Sequence, residues 1–127
     1  MSGLRSRSRL LLALGGAVLA GGCGEQAAAP HWNTGGDPHH GAIIITRESC
    51  GACHVIPAIQ QADGEVGPPL AHFAERTVIA GVLPNTPANL ERWLQHPQAV
   101  TPGNAMPDSG LDTAQARDVA AYLYTLK

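Results

Sequence analysis

From Asp37 onward the apolar positions recur at helical spacing, broken by proline, glycine and short polar runs. Gly41, Ile44 and Ile45 share one face of a segment in which Asp37 is a good N-cap and Pro38 suits the first helical position. The spacing predicts one helix running on into the stretch SCGACH, residues 49 to 54. A short second helix is expected from Arg76 to Gly81. In the third, Thr86 caps, Pro87 opens, and Leu90, Trp93 and Leu94 lie on one face before Pro97 stops it. Asp112 caps the last helix with Gln115 at the capping-box position, and Ala116, Val119, Tyr122, Leu123 and Leu126 form its apolar stripe. No alternating pattern of useful strand length appears. The expected fold is all-α, with about four helices and long loops.

The opening stretch, MSGLRSRSRLLLALGGAVLAGGC, changes the picture of where this domain works. Arg5, Arg7 and Arg9 precede an apolar run that ends in small residues and Cys23, the layout of an export signal. The run from Leu10 to Gly22 is shorter than the roughly 20 residues a membrane span needs. Its LAGGC ending resembles the lipobox of bacterial lipoproteins, with Leu19 four positions before the cysteine instead of the usual three. Residues 1–22 are therefore expected to be an export signal and Cys23 to carry lipid. Residues 23–36, small and polar, are expected to form a flexible tether, and 37–127 the domain. The expected location is the periplasmic side of a bacterial membrane, lipid-anchored, with a soluble periplasmic protein as the alternative. Beyond the signal only Arg47, Arg76, Arg92, Arg117 and Lys127 are basic, against all ten acidic residues, which disfavours a nucleic-acid partner. The same region holds few aromatics: Trp32, Phe73, Trp93, Tyr122 and Tyr124. A domain of about 100 residues with so little bulk gains from a bound group filling its middle.

Cys50, Cys53 and His54 say what that group is. A CxxC pair serves a redox disulfide, half of a zinc site, or thioether attachment of haem with the histidine on iron. Zinc takes about four ligands, usually from two such pairs, and a thioredoxin-like site expects a βαβ setting. Haem attachment accounts for His54 directly: the two cysteines add to the vinyl groups and the imidazole binds beneath the ring. Met106, in the loop VTPGNAMPDSG, is the best sixth ligand. It is the only methionine after the signal and sits among polar and chain-breaking residues, where a core-filling role fits badly. His72 and His96 are its rivals. A thioether opposite imidazole is the electron-transfer pairing and raises the reduction potential.

With these residues in view, the stretch from Gly41 to Leu123 resembles class I cytochrome c. Gly41 and Ile45 match the glycine and large apolar residue of the family's N-terminal helix, and Tyr122, in RDVAAYL, the aromatic that lies over that glycine. GPPL matches the family's GPxL. The resemblance implies that the Pro68 carbonyl orients His54, that Leu70 and Phe73 pack on the haem, and that Arg76 and Asn104 meet its propionates. It also implies that Trp93 lies against the haem near the Met106 sulfur. Where relatives ring the exposed haem edge with lysines, this chain has the uncharged Gln98, Ala99 and Ala105. GVLPNTPANLERWLQHPQAVTPGNAMP is similar to the cytochrome c domain fused to subunit II of caa-type haem-copper oxidases, and the likeness is confined to that domain.

The fold implied is the class I cytochrome c fold around one haem c bound through Cys50 and Cys53. The function implied is single-electron transfer, not enzymatic catalysis, at the outer face of a membrane, to or within a respiratory terminal-oxidase chain. The partners implied are a redox donor and acceptor, a haem-copper oxidase among them, with the chain a monomer or oxidase-associated. Two other classes compete: a haem enzyme or gas sensor with a labile sixth ligand, and an apo CxxC lipoprotein handling metal or disulfides during assembly.

Overall fold

The computed structural model describes residues 32–127; the expected signal, Cys23 and most of the tether lie outside it. Among the described residues there are four α-helices, α1 (Pro38–Arg47), α2 (Pro87–Gln95), α3 (Pro97–Val100) and α4 (Thr113–Leu123), with one two-stranded ladder and long loops. The all-α expectation holds, and with it three of the four helix starts read from sequence, those of α1, α2 and α4. Asp37 accepts the backbone N–H groups of His39 and His40, Thr86 caps α2, and Asp112 and Gln115 form a reciprocal capping box on α4.

Helices α1 and α4 cross through their apolar faces. Ile44, Ile45, Ala116, Val119, Ala120 and Leu123 are each 4 % exposed or less, and Leu90 of α2 joins them. The crossing is close because Gly41 has no side chain: a Cβ there would lie 2.0 Å from the Asp118 carbonyl oxygen and 3.1 Å from Tyr122 Cβ. Asp118 also fastens the start of α1. Its Oδ1 accepts the Asp37 N–H at 2.7 Å and its Oδ2 meets His40 Nδ1 at 2.7 Å. These contacts, the Asp37 hydrogen bond foremost, hold the Asp118 carboxyl below its ordinary range.

Four expectations change in the folded chain. The helix predicted to run into SCGACH ends at Arg47. Ser49 is left-handed (φ 56°), and Cys50–Ala52 is a separate 3-10 turn. Donors of the following loop claim the carbonyls there, Gly64 N–H binding Gly51 O at 3.0 Å and Gly67 N–H binding Cys53 O at 2.7 Å.

The expected helix from Arg76 to Gly81 is a hairpin, with β1 (Val78–Ile79) antiparallel to β2 (Leu83–Pro84). Ala80 and Gly81 both have positive φ, and Val82 N–H closes the turn on Ile79 O at 3.1 Å, the geometry that joins tight hairpins. The β-branched run Thr77-Val78-Ile79 was the overlooked signal.

Residues 32–36, expected to belong to the tether, pack on the domain instead. Trp32 stacks on Tyr124, ring centroids 5.1 Å apart, and its Nε1 donates to Ala74 O at 3.4 Å. Thr34 is buried, and a Cβ on Gly36 would lie 2.3 Å from Arg117 O. Finally, Tyr122 of the expected stripe is only part-buried, its hydroxyl donating to Pro57 O at 2.7 Å, while Tyr124 beyond the helix is the buried tyrosine.

Tyr124 donates to Asn85 Oδ1 at 2.8 Å, and Asn85 Nδ2 donates to Phe73 O and Arg76 O at 3.2 and 2.9 Å. Burial, with the charge of Glu91 added, pushes the Tyr124 phenol up to about 12. Its neutral form is therefore favoured in the folded chain, and stability present below the unfolded value near 10 is lost as pH rises toward 12. Urea unfolding followed at pH 9 and pH 11.5 is expected to show that loss, with a shallower fall in Tyr124→Phe. Equal slopes would mean the phenol titrates alike in both states.

Candidate functional site

A cavity of about 380 Å³ opens between α1, α2, α4 and the loops, within the roughly 300–1,000 Å³ typical of cofactor sites. Ile45, Ile56, Ile79, Leu90, Leu94, Val119 and Leu123 give it apolar walls, so it reaches into the core itself. Cys50, Cys53, His54, Pro68, Leu70, Phe73, Arg76, Trp93, Asn104 and Met106 all line it. His72 and His96, the rival ligands, are exposed and do not line it.

The cysteines are placed by the turn after α1. Cys53 N–H and His54 N–H both reach Cys50 O, at 3.2 and 3.1 Å, which puts the two thiols one turn apart and sends His54 onward into the cavity. Both cysteines are free and partly exposed. Burial pushes the Cys50 thiol up, with the charge of Glu48 acting the same way.

His54 Nδ1 lies 2.8 Å from Pro68 O. A carbonyl only accepts, so Nδ1 carries the hydrogen and Nε2 keeps its lone pair for a ligand. Gly67, just before, leaves room for the ring: a Cβ there would stand 2.3 Å from His54 Cε1. Gly67→Ala is expected to destabilise the domain by about 1–3 kcal/mol, the range for overpacking, and to shift the NMR resonance of the Nδ1 hydrogen. No change in either thermal midpoint or resonance would show that the ring is not held there.

Met106 comes from the far end of the chain, on the loop between α3 and α4. Asn104 Oδ1 accepts the Met106 N–H at 2.7 Å, while Asn104 Nδ2 donates to Pro97 O and Thr101 O at 3.0 and 2.7 Å. Asn104 thus braces the methionine loop from the cavity wall, both amide hydrogens and the oxygen bonding the loop's own backbone. Arg76 has made a partial commitment of the same kind. Its Nη2 donates to Pro69 O and Ala71 O, and the guanidinium carbon stands 5.3 Å from the centroid of Phe73. Its other donors remain for an anion at the cavity wall.

One lining residue was missed from sequence. Thr101 Oγ1 is buried with no hydrogen-bond partner among the described residues, an arrangement that costs about 1–3 kcal/mol unless a bound group supplies the partner. A threonine in a polar loop gave no signal of this. Two thiols, a free imidazole nitrogen, a thioether, apolar walls and an unpaired buried hydroxyl fit a covalently attached haem with carboxylate arms.

Known proteins point the same way. The cytochrome c family model matches residues 39–127. The "cytochrome c oxidase subunit 2" of Alkalihalophilus pseudofirmus is 37 % identical over 92 residues, covering 70 % of this chain and 25 % of that protein. The proteins of the same name from Bacillus sp. strain PS3 and Bacillus subtilis are 36 % and 31 % identical over 87 and 86 residues, covering 65 % and 66 % of this chain. The chain thus spans about a quarter of the length of these relatives. With the fold, the cavity and the family model in agreement over residues 39–127, this chain belongs to the cytochrome c family.

Proposed function

We propose that this chain is a monohaem c-type electron carrier with His54 and Met106 as axial ligands, working at the outer face of a bacterial membrane in a terminal-oxidase chain. The observation that carries the reading is the shared cavity, which brings Met106 to the CxxCH turn across 52 residues of sequence. When bound, haem supplies a one-electron ferrous/ferric couple. Cys50 and Cys53 hold it by thioethers. His54 is oriented by Pro68 and presents Nε2. Met106 would supply a thioether ligand, and the apolar walls with Leu70, Phe73 and Trp93 would exclude water. Two side-chain ligands and an apolar pocket favour electron transfer over chemistry at an open iron site.

Likeness to oxidase subunits supports an oxidase as the partner, and the lipobox-like LAGGC supports Cys23 as a lipid anchor. The test is expression in a host that matures c-type cytochromes, followed by acid extraction and a pyridine haemochrome spectrum. One haem per chain should resist extraction, and extractable or absent haem would overturn the reading. In the same host Cys23→Ala is expected to move the cytochrome from the membrane to the soluble periplasm. Wild-type protein wholly in the soluble fraction would remove the anchor from the proposal.

A further inference from the structure

Gln98 is half-buried and turned into the methionine loop. Its Nε2 donates to Asn104 O at 2.9 Å and to Met106 O at 2.7 Å, and its Oε1 accepts the Gly103 N–H at 3.1 Å. Asn104 completes the arrangement from inside, gripping Met106 N–H with its oxygen and two upstream carbonyls with its amide. The backbone of Met106 is therefore held on both sides, N–H by Asn104 and carbonyl by Gln98. Each bond closes a loop of eight residues or fewer, so the clasp is local and sits where the loop must open for the sulfur to leave.

We infer that Gln98 is a positioning residue that keeps the Met106 thioether aimed into the cavity and sets how often it swings out. The inference rests on the haem reading above and deepens it. An external ligand that replaces the methionine binds only the opened form, so its apparent affinity scales with the fraction of molecules whose loop is open. Removing two carbonyl partners and one N–H partner from a part-buried loop is expected to raise that fraction about tenfold, equivalent to about 1.4 kcal/mol.

The experiment titrates the oxidised holoprotein with imidazole at fixed pH, following the weak sulfur-to-iron absorption band. Gln98→Ala should bind imidazole about tenfold more tightly than wild type. Gln98→Glu is isosteric but has no amide hydrogens, and should tighten binding likewise; wild-type affinity in this variant would assign the effect to packing and overturn the clasp. Asp118→Asn, which weakens the domain at the α1/α4 end, should leave imidazole affinity unchanged; equal tightening there would reduce the effect to global stability. Unchanged affinity in Gln98→Ala, with haem attached and the sulfur band present in wild type, would overturn this inference while leaving the haem reading intact. No attached haem at all would overturn the reading beneath it.

Discussion

Met106→Ala is expected to leave the haem attached but to abolish its low-spin, sulfur-ligated ferric spectrum. Attachment depends on Cys50 and Cys53, which belong to a turn held by its own backbone bonds and by the loop folded over it. Neither depends on the methionine loop. Alanine has no donor atom for iron, and neither rival histidine lines the cavity, so water is the expected replacement. The reduction potential should fall by on the order of 0.2 V, a fraction of the roughly 0.8 V that axial ligands command. Absorption spectra and a redox titration of the purified variant check both points. A low-spin spectrum identical to wild type would assign the sixth position to another residue.

Gly41→Ala should have the largest effect on stability. Alanine improves helix propensity by about 1 kcal/mol at an interior position. Against that, its methyl would sit 2.0 Å from the Asp118 carbonyl oxygen, a backbone atom that cannot rotate away. The helices would have to separate, loosening the packing of Ile44 and Ile45 on Val119 and Ala120, all at most 2 % exposed. Overpacking costs about 1–3 kcal/mol and more where backbone must move, here about 3–5 kcal/mol, so that a net loss of about 2–4 kcal/mol remains after the propensity gain. For a domain of this size that lowers the thermal midpoint by roughly 10 °C or more. Thermal unfolding by circular dichroism measures it. A midpoint within about 2 °C of wild type would show that the crossing has slack.

Both predictions rest on residues that could be picked out before any coordinates. Cys50, Cys53 and His54 were legible because their chemistry needs them adjacent in sequence. Met106 stood out as a lone methionine in a polar loop, and the fold puts it on the wall of the same cavity. Gly41 with Tyr122 was legible through the family's pattern, and the crossing is as close as that pattern implies. Polar contacts were harder to read. Asn104 and Gln98 could be placed on the methionine loop but not assigned their backbone partners, because an amide side chain bonds whichever backbone group the loop brings near. The orphan hydroxyl of Thr101 is the same problem in reverse, since its lack of a partner exists only in the folded loop.

What the sequence determined by itself was therefore local or compositional. The caps at Asp37, Thr86 and Asp112 bond within three residues of themselves, so their side chains suffice to mark the helix starts. The all-α class followed from apolar spacing. Tertiary structure decided where competing local preferences gave way. Helix α1 stops at Arg47 because distant amides at Gly64 and Gly67 take the carbonyls of the next turn. The hairpin at 78–84 displaced a short helix, its base held by Asn85 N–H on Thr77 O at 2.9 Å and by Tyr124 on Asn85 from the far end of the chain. Trp32, expected within the tether, packs on the domain because the ring of Tyr124 and the carbonyl of Ala74 stand where it can cover both. Each of these outcomes is set by a partner far away in sequence, and only the closed chain brings the two together.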